Sequence, residues 1–329
     1  VLPADVDVTQ LAGRHLLALP AGVGAEDLAL LASARWRRVG LEGQDLTLSR
    51  YSVLHRGLDY SAAGLEAAGL PAGLDQAWVT QTLRERGQPP FPGAVDPTGL
   101  ARAFPDGLPE REEGRVVSFL LAAARRLGGA VRFDSGVVVE PPPEAAIDMT
   151  VFSPIWLVPP DLQSLVQKVD PDFRQSAGLS DDQALSHEPP AGPADTLMTR
   201  AQRRELLVKL RQGDREALQA APAQEAYAVE ADLGKGGRIT VEVSLVEDLP
   251  LPIKSLPWVQ RGVVAYAIKW IPFDPALLLA EFPPDEHRRR RLAIARELAA
   301  LARLIQSQIG SEVMDQDGFP VDPADLRRH

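Results

Sequence analysis

Apolar and polar positions along this chain follow two alternating periods. Leu16-Leu17-Ala18-Leu19 is a short apolar run closed by Pro20, and it leads through Gly22 and Gly24 into Ala25-Glu26-Asp27-Leu28-Ala29-Leu30-Leu31. A run of that length bounded by turn residues predicts a strand, and carboxylates at the start of the next segment suit the positive end of a helix. Asp45 to Leu54, anchored by Leu46, Leu48 and Val53, predicts a further strand, and Ala62 to Arg86 carries two short helical patterns split by Gly69-Leu70-Pro71. Gln88 to Pro109, rich in Pro and Gly, predicts loop. Glu110 to Leu127 then has acidic residues leading, Arg125 and Arg126 in its last turn and Gly128-Gly129 after it, the signature of a capped helix. Ala130 to Glu140 follows as a strand pair or bent strand, stopped by Pro141-Pro142-Pro143.

The second half opens in the same way. Met149 to Val158 predicts a strand, and Pro159-Pro160-Asp161 opens a helix through Val169, with proline where a missing N–H costs nothing. From Asp170 to Gln224 the chain turns polar, with a charged helical stretch at Thr199 to Leu218, and reads as an insertion. Tyr227 to Leu233 and Arg238 to Val246 alternate most regularly, joined by Gly234-Lys235-Gly236-Gly237, and predict a hairpin with Tyr227, Val229, Ile239, Val241, Val243 and Leu245 inward. Gly262 to Ile271 predicts another strand, and Asp285 to Ile309 a long helix with Leu298, Leu301, Ile305 and Ile309 on one stripe.

Setting Leu127 to Pro141 above Ile309 to Pro323, at an ungapped shift of 182 residues, brings Gly128 over Gly310, Val131 over Val313, Gly136 over Gly318, Val139 over Val321 and Pro141 over Pro323. Each half therefore closes with a helix stopped by glycine, a strand, a tight turn and a return strand. The expectation is an α+β protein of two related ferredoxin-like (βαββαβ-type) halves from internal duplication, residues 1–145 and 146–329, the second carrying the insertion at about 170–224.

Composition narrows the chemistry. The 35 basic against 45 acidic residues give a net charge of −10, which repels a phosphate backbone, so no nucleic-acid partner is expected. The absence of cysteine removes thiolate nucleophiles, disulfides and Cys-ligated metals. No apolar stretch reaches the roughly 18 residues of a membrane span, and Val1 to Leu19 lacks a basic segment followed by an apolar run, so a cytoplasmic protein with no membrane contact is expected.

Each candidate motif has a plain structural role beside its functional one. Gly234-Lys235-Gly236-Gly237 leads into a strand, whereas a phosphate loop needs a helix N-terminus, and so reads as a hairpin turn. Asp315-Gln316-Asp317-Gly318 resembles the start of a calcium loop but lacks the later bidentate acid, and reads as a turn. His15, His55, His187, His287 and His329 show no metal-hydrolase spacing, and neither a metal nor a cofactor is expected. Glu230, Asp232, Thr240 and Glu242 make an acidic outward face of the second sheet; Lys269 can join it, either as a cross-strand ion pair or by orienting a carboxylate for acid–base work. Arg288, Arg289, Arg290 and Arg291 form the densest positive run, suited to a solvated or ion-paired first turn, or to an anion or acidic partner.

The reading that follows is a non-catalytic binding or scaffold protein, with a protein partner or a second copy docking on the open sheet face or the insertion. Its alternatives are an enzyme with Glu230, Glu242, Lys269 or His55 as acid–base groups in a cleft between the halves, and an anion- or ligand-sensing regulator using Arg288 to Arg291.

Overall fold

A computed structural model of the chain describes residues 13–57, 60–91, 93, 96–176 and 226–321. In chain order the elements are β1 (Leu16–Pro20), α1 (Ala25–Ser33), β2 (Gly40–Glu42), β3 (Asp45–Ser49), β4 (Ser52–Arg56), α2 (Ala62–Ala67), β5 (Leu74–Gln81), α3 (Leu100–Ala103), α4 (Arg111–Leu127), β6 (Ala130–Arg132) and β7 (Val138–Val139). They continue with β8 (Met149–Ser153), α5 (Pro159–Val166), β9 (Arg174–Gln175), β10 (Ala226–Asp232), β11 (Arg238–Leu245), α6 (Leu251–Lys254), β12 (Val264–Ile271), α7 (Ala276–Leu279), α8 (Asp285–Ile309) and β13 (Glu312–Asp315). The protein is α+β with two antiparallel sheets. One runs β2-β3-β4-β5-β1-β6-β7 and the other β9-β10-β11-β12-β8-β13.

Each sheet buries one face under two long helices. In the first, Leu17, Leu19, Leu54, Trp78 and Val131 meet Leu28 of α1 and Val116, Phe119 and Leu120 of α4. In the second, Val151, Val229, Val241, Tyr266 and Ile268 meet Leu162 and Val166 of α5 and Leu298, Leu301 and Ile305 of α8. A short helix covers part of the opposite face in both: Leu65 of α2 packs on Leu16, Ala18, Ala77 and Val79, and Ile253 of α6 packs on Phe152, Ala265 and Met314. Both short helices lie between the strands that occupy equivalent places, β4 and β5 in one sheet and β11 and β12 in the other.

The shift of 182 residues carries hydrogen bonds as well as letters. Phe133 N donates to Val137 O at 2.8 Å and Asp315 N to Phe319 O at 2.9 Å; Gly136 N donates to Phe133 O at 2.9 Å and Gly318 N to Asp315 O at 3.0 Å. Gly136 and Gly318 hold φ of 86° and 79°, a conformation a side chain resists, so the two turns need glycine for the same reason.

Several expectations are corrected. Residues 74–81, read as helical, form β5. This strand lies between β4 and β1 and is buried on both faces, with Trp78 toward one core and Ala77 and Val79 toward the other, which erases the alternation that marks a strand. Asp45 to Leu54 is a hairpin, β3 and β4, and Met149 to Val158 is strand only as far as Ser153. Leu245, placed inward by alternation, is 59% exposed at the end of β11. Each sheet is wider than a βαββαβ unit, because four strands rather than two stand between the flanking helices. The helical stretch at Thr199 to Leu218 lies outside the described residues.

The turn after β13 is one of the contacts that join the two halves, beside those of Arg102 with Glu281 and Arg288 with Glu144. Phe319 is fully buried in the first half's core, edge-on to Phe119 with centroids 6.4 Å apart, and the Arg35 guanidinium lies 5.1 Å over its ring. Beside it Arg125 Nη1 donates to both carboxylate oxygens of Asp317 at 2.6 Å, and Arg35 Nη2 donates to Asp317 O at 2.6 Å. The equivalent turn after β6 is held within its own half, where Asp134 accepts from Arg86 at 2.7 Å. Because Phe319 fills the first core while belonging to the second sheet's chain, Phe319→Ala should cost about 3–5 kcal/mol. Urea unfolding checks this; a loss below about 1 kcal/mol would mean the junction contributes little.

Candidate functional site

The acid–base candidates fall on two different sheets. Glu242 and Lys269 lie on the outward face of the second, where Lys269 Nζ donates to Glu242 Oε2 at 2.6 Å, both side chains nearly half exposed. Glu230 is 3.7 Å from Arg238 on the same sheet. These are surface ion pairs across strands, each acid having a cation of its own.

His55 stands on β4 of the first sheet. Its Nδ1 is 2.9 Å from Asp45 Oδ2 and its Nε2 is 3.0 Å from Gln81 Oε1, while Asp45 Oδ1 accepts from Arg56 N at 2.8 Å. With both ring nitrogens engaged, the imidazole has no free site for a substrate proton. The hydrogen bond to Asp45 raises the His55 pKa above its ordinary 6.5, and the same bond lowers the pKa of Asp45 below its ordinary 3.8.

A second polar cluster is buried, and its members are dispersed from residue 15 to residue 134. His15 Nε2 lies 3.2 Å from Glu113 Oε1, its Nδ1 accepts from Asp134 N at 3.3 Å, and Arg86 Nη2 donates to Glu113 Oε1 and to Asp134 Oδ2, both at 2.7 Å. An accepting Nδ1 leaves the proton on Nε2, where it can be donated to Glu113. Glu113 also accepts from Glu85 N at 2.7 Å, Glu85 Oε2 accepts from Glu112 N at 3.0 Å in the first turn of α4, and the Arg86 guanidinium lies 4.3 Å over Phe104. Every charge here is paired, so the cluster fastens the 82–110 connection to α4 and β1. No spacing in the sequence links these four residues.

The arginine run divides by helical phase. Arg289 and Arg290 face outward: Arg289 bonds back to Asp285 O at 3.4 Å, and Arg290 reaches Glu286 Oε1 at 3.1 Å and Lys235 O at 2.7 Å. Arg288 and Arg291, one turn apart, face the junction. Arg288 Nε donates to Glu144 Oε1 at 2.6 Å, and Arg291 Nη2 to Ala145 O at 2.9 Å. His287, on the same side, is buried against Trp270 with ring centroids 5.3 Å apart, and burial lowers its pKa.

These side chains line a cavity of about 340 Å³ where the two halves meet, bounded by Arg125, Glu144, Asp148, Trp270, Arg288 and Arg291. Asp148 accepts from Trp270 N at 3.1 Å, and burial raises its pKa. Burial lowers the pKa of Arg291, the opposite response of a cation to the same dry surroundings. One wall is the segment after β12, contributing Leu278 and Glu281, and Glu281 is held by Arg102 at 2.7 Å. Among the described residues, no cluster of His, Asp and Glu has the geometry of a metal site, and no helix is long and apolar enough to cross a membrane. Compared with family models, curated proteins and solved structures, the chain matches none.

The His55–Asp45 pair makes a definite pH prediction. A histidine whose folded pKa is raised adds stability that is complete below about pH 6.5 and fades as pH rises through the folded value. NMR titration should place the His55 midpoint above 6.5, and Asp45→Asn should move it down, with only a small change in global stability because both groups are well exposed. An unmoved midpoint would show that the pair does not form in solution.

Proposed function

We propose that the chain is a non-catalytic binding protein whose two halves arose by internal duplication, each a βαββαβ core widened by two strands, and that it docks a protein partner through the apolar ridge that follows β12. The common strand order, the equivalent placing of α2 and α6, and the turn hydrogen bonds repeated at a shift of 182 residues support the duplication. The ridge is the observation that carries the binding reading. In the stretch 272–284, Phe273 is 75% and Phe282 79% exposed, Leu279 is half exposed, and no residue of α7 is buried. Two exposed phenylalanines and an exposed leucine within one thirteen-residue stretch, with Arg102 5.9 Å over the Phe282 ring, support a surface where a partner displaces water.

The sequence pointed to the open sheet face and the insertion as contact surfaces. On that face α6 covers one end and the Glu242–Lys269 pair occupies another part, which leaves the ridge as the more apolar surface. The insertion lies largely outside the described residues.

Phe273→Ser with Phe282→Ser is the test, since both side chains are exposed and neither supports a core. Light scattering and quantitative co-purification should find a complex, with a second copy or another protein, that the double variant weakens by at least about 2 kcal/mol, roughly thirtyfold, at an unchanged melting temperature. If no complex formed by the wild-type chain depends on these two residues, the reading is wrong.

A further inference from the structure

The ridge at 272–284 is a loop whose two ends are fastened to each other. Trp270 lies just before it on β12 and His287 just after it in the first turn of α8, and their rings stack with centroids 5.3 Å apart and planes 34° from parallel. Trp270 is the fixed side of the stack, because its Nε1 donates to Gly236 O at 2.9 Å and its backbone N–H to Asp148 Oδ1 at 3.1 Å. His287 is only 5% exposed, and its Nε2 is buried with no hydrogen-bond partner among the described residues.

Most of the charge acting on this imidazole has the sign it would acquire on protonation. Arg290 and Arg291 of its own helix repel a proton, and Asp274 of the ridge attracts one. The other acids nearby are engaged: Glu286 by Arg290 at 3.1 Å, Glu144 by Arg288 at 2.6 Å, and Asp148 by the Trp270 backbone. Lys235, on the hairpin turn, presents its carbonyl to Arg290 at 2.7 Å. An imidazolium would carry a hydrogen on both ring nitrogens, and Nε2 has nothing here to donate to. The face of Trp270 attracts a cation and offsets part of that cost, but the dry surroundings and two guanidinium neighbours act against it.

Burial, then Arg291 and Arg290, hold the pKa of the seated ring below its ordinary 6.5. A ring that has left its seat titrates near the ordinary value. As pH falls below 6.5 the released state therefore takes up a proton first and gains population; above it both states are neutral and the stack stays closed.

We propose that His287 is an acid-sensitive latch on the ridge: neutral, it fastens 272–284 at its base by stacking on Trp270, and protonated, it leaves that seat and loosens the surface that docks a partner. The consequence for docking rests on the binding reading of the ridge, whereas the latch itself is a property of the free chain.

Hydrogen exchange of the full chain, read by mass spectrometry at about pH 7.5 and about pH 5 and corrected for the intrinsic rate, follows the latch with no partner present. Peptides covering 272–290 should lose at least about tenfold in protection on acidification, while those of β10 and β11 keep theirs. His287→Phe keeps a ring on Trp270 that cannot be protonated, so its protection should match wild type at the higher pH and persist at the lower. Should that variant fail to fold, Arg290→Gln removes one repelling charge and should raise both the His287 midpoint by NMR and the pH at which the segment loosens. Protection of wild type that ignores pH, or the same acid-induced loss in His287→Phe, would overturn the latch. A complex that depends on Phe273 and Phe282 but is equally tight at both pH values sinks the latch alone. Acid-induced loosening with no such complex sinks the docking reading alone.

Discussion

Phe319 lies in the turn that ends the second sheet, yet its ring is enclosed by the helices of the first. Burying an aromatic side chain this fully supplies several kcal/mol, and here it also fixes the neighbouring groups: Asp317 falls beside Arg125, and Arg35 is laid over the ring. The Arg125–Asp317 pair is mostly shielded from solvent, so removing either partner would strand a charge in the junction. The cavity between the halves lies beside that contact, lined by Arg125 and Asp317 together with the start of α8 and the 142–148 connection.

Six strands of the first sheet follow the same order as the six of the second, but the closing turns do different work. The turn after β6 is held inside its own half by Arg86, whereas the turn after β13 reaches into the other half. The residues that make this turn contact differ at equivalent positions: Asp317 and Phe319 correspond to Ser135 and Val137. Two sheets of like plan with unlike turn side chains thus meet at an interface within one chain.

What could be read from the sequence follows from where each element lies. Helices α4 and α8 were visible because their glycine stops and acidic first turns are local signals. The hairpin β10–β11 was visible because only one of its faces is buried, whereas β5 was misread because it is buried on both. The arginine run was conspicuous, and its division into an outward pair and a pair facing the junction was not, because the phase of α8 is set by packing against the 142–148 connection. The pairing of Lys269 with Glu242 was one of two readings left open by strand parity, and their separation of 2.6 Å places it as an ion pair. The His15, Arg86, Glu113 and Asp134 cluster had no local signature, since only the fold brings these residues together.

The Phe319 turn should make the two halves one cooperative unit. Native-state amide hydrogen exchange in rising urea tests it most directly, by following the slowest amides of β1 and β5 beside those of β8 and β12. Both sheets should lose protection in the same global opening, with one free energy and one urea dependence. Two separate openings, one sheet exchanging well before the other with a smaller urea dependence, would contradict it.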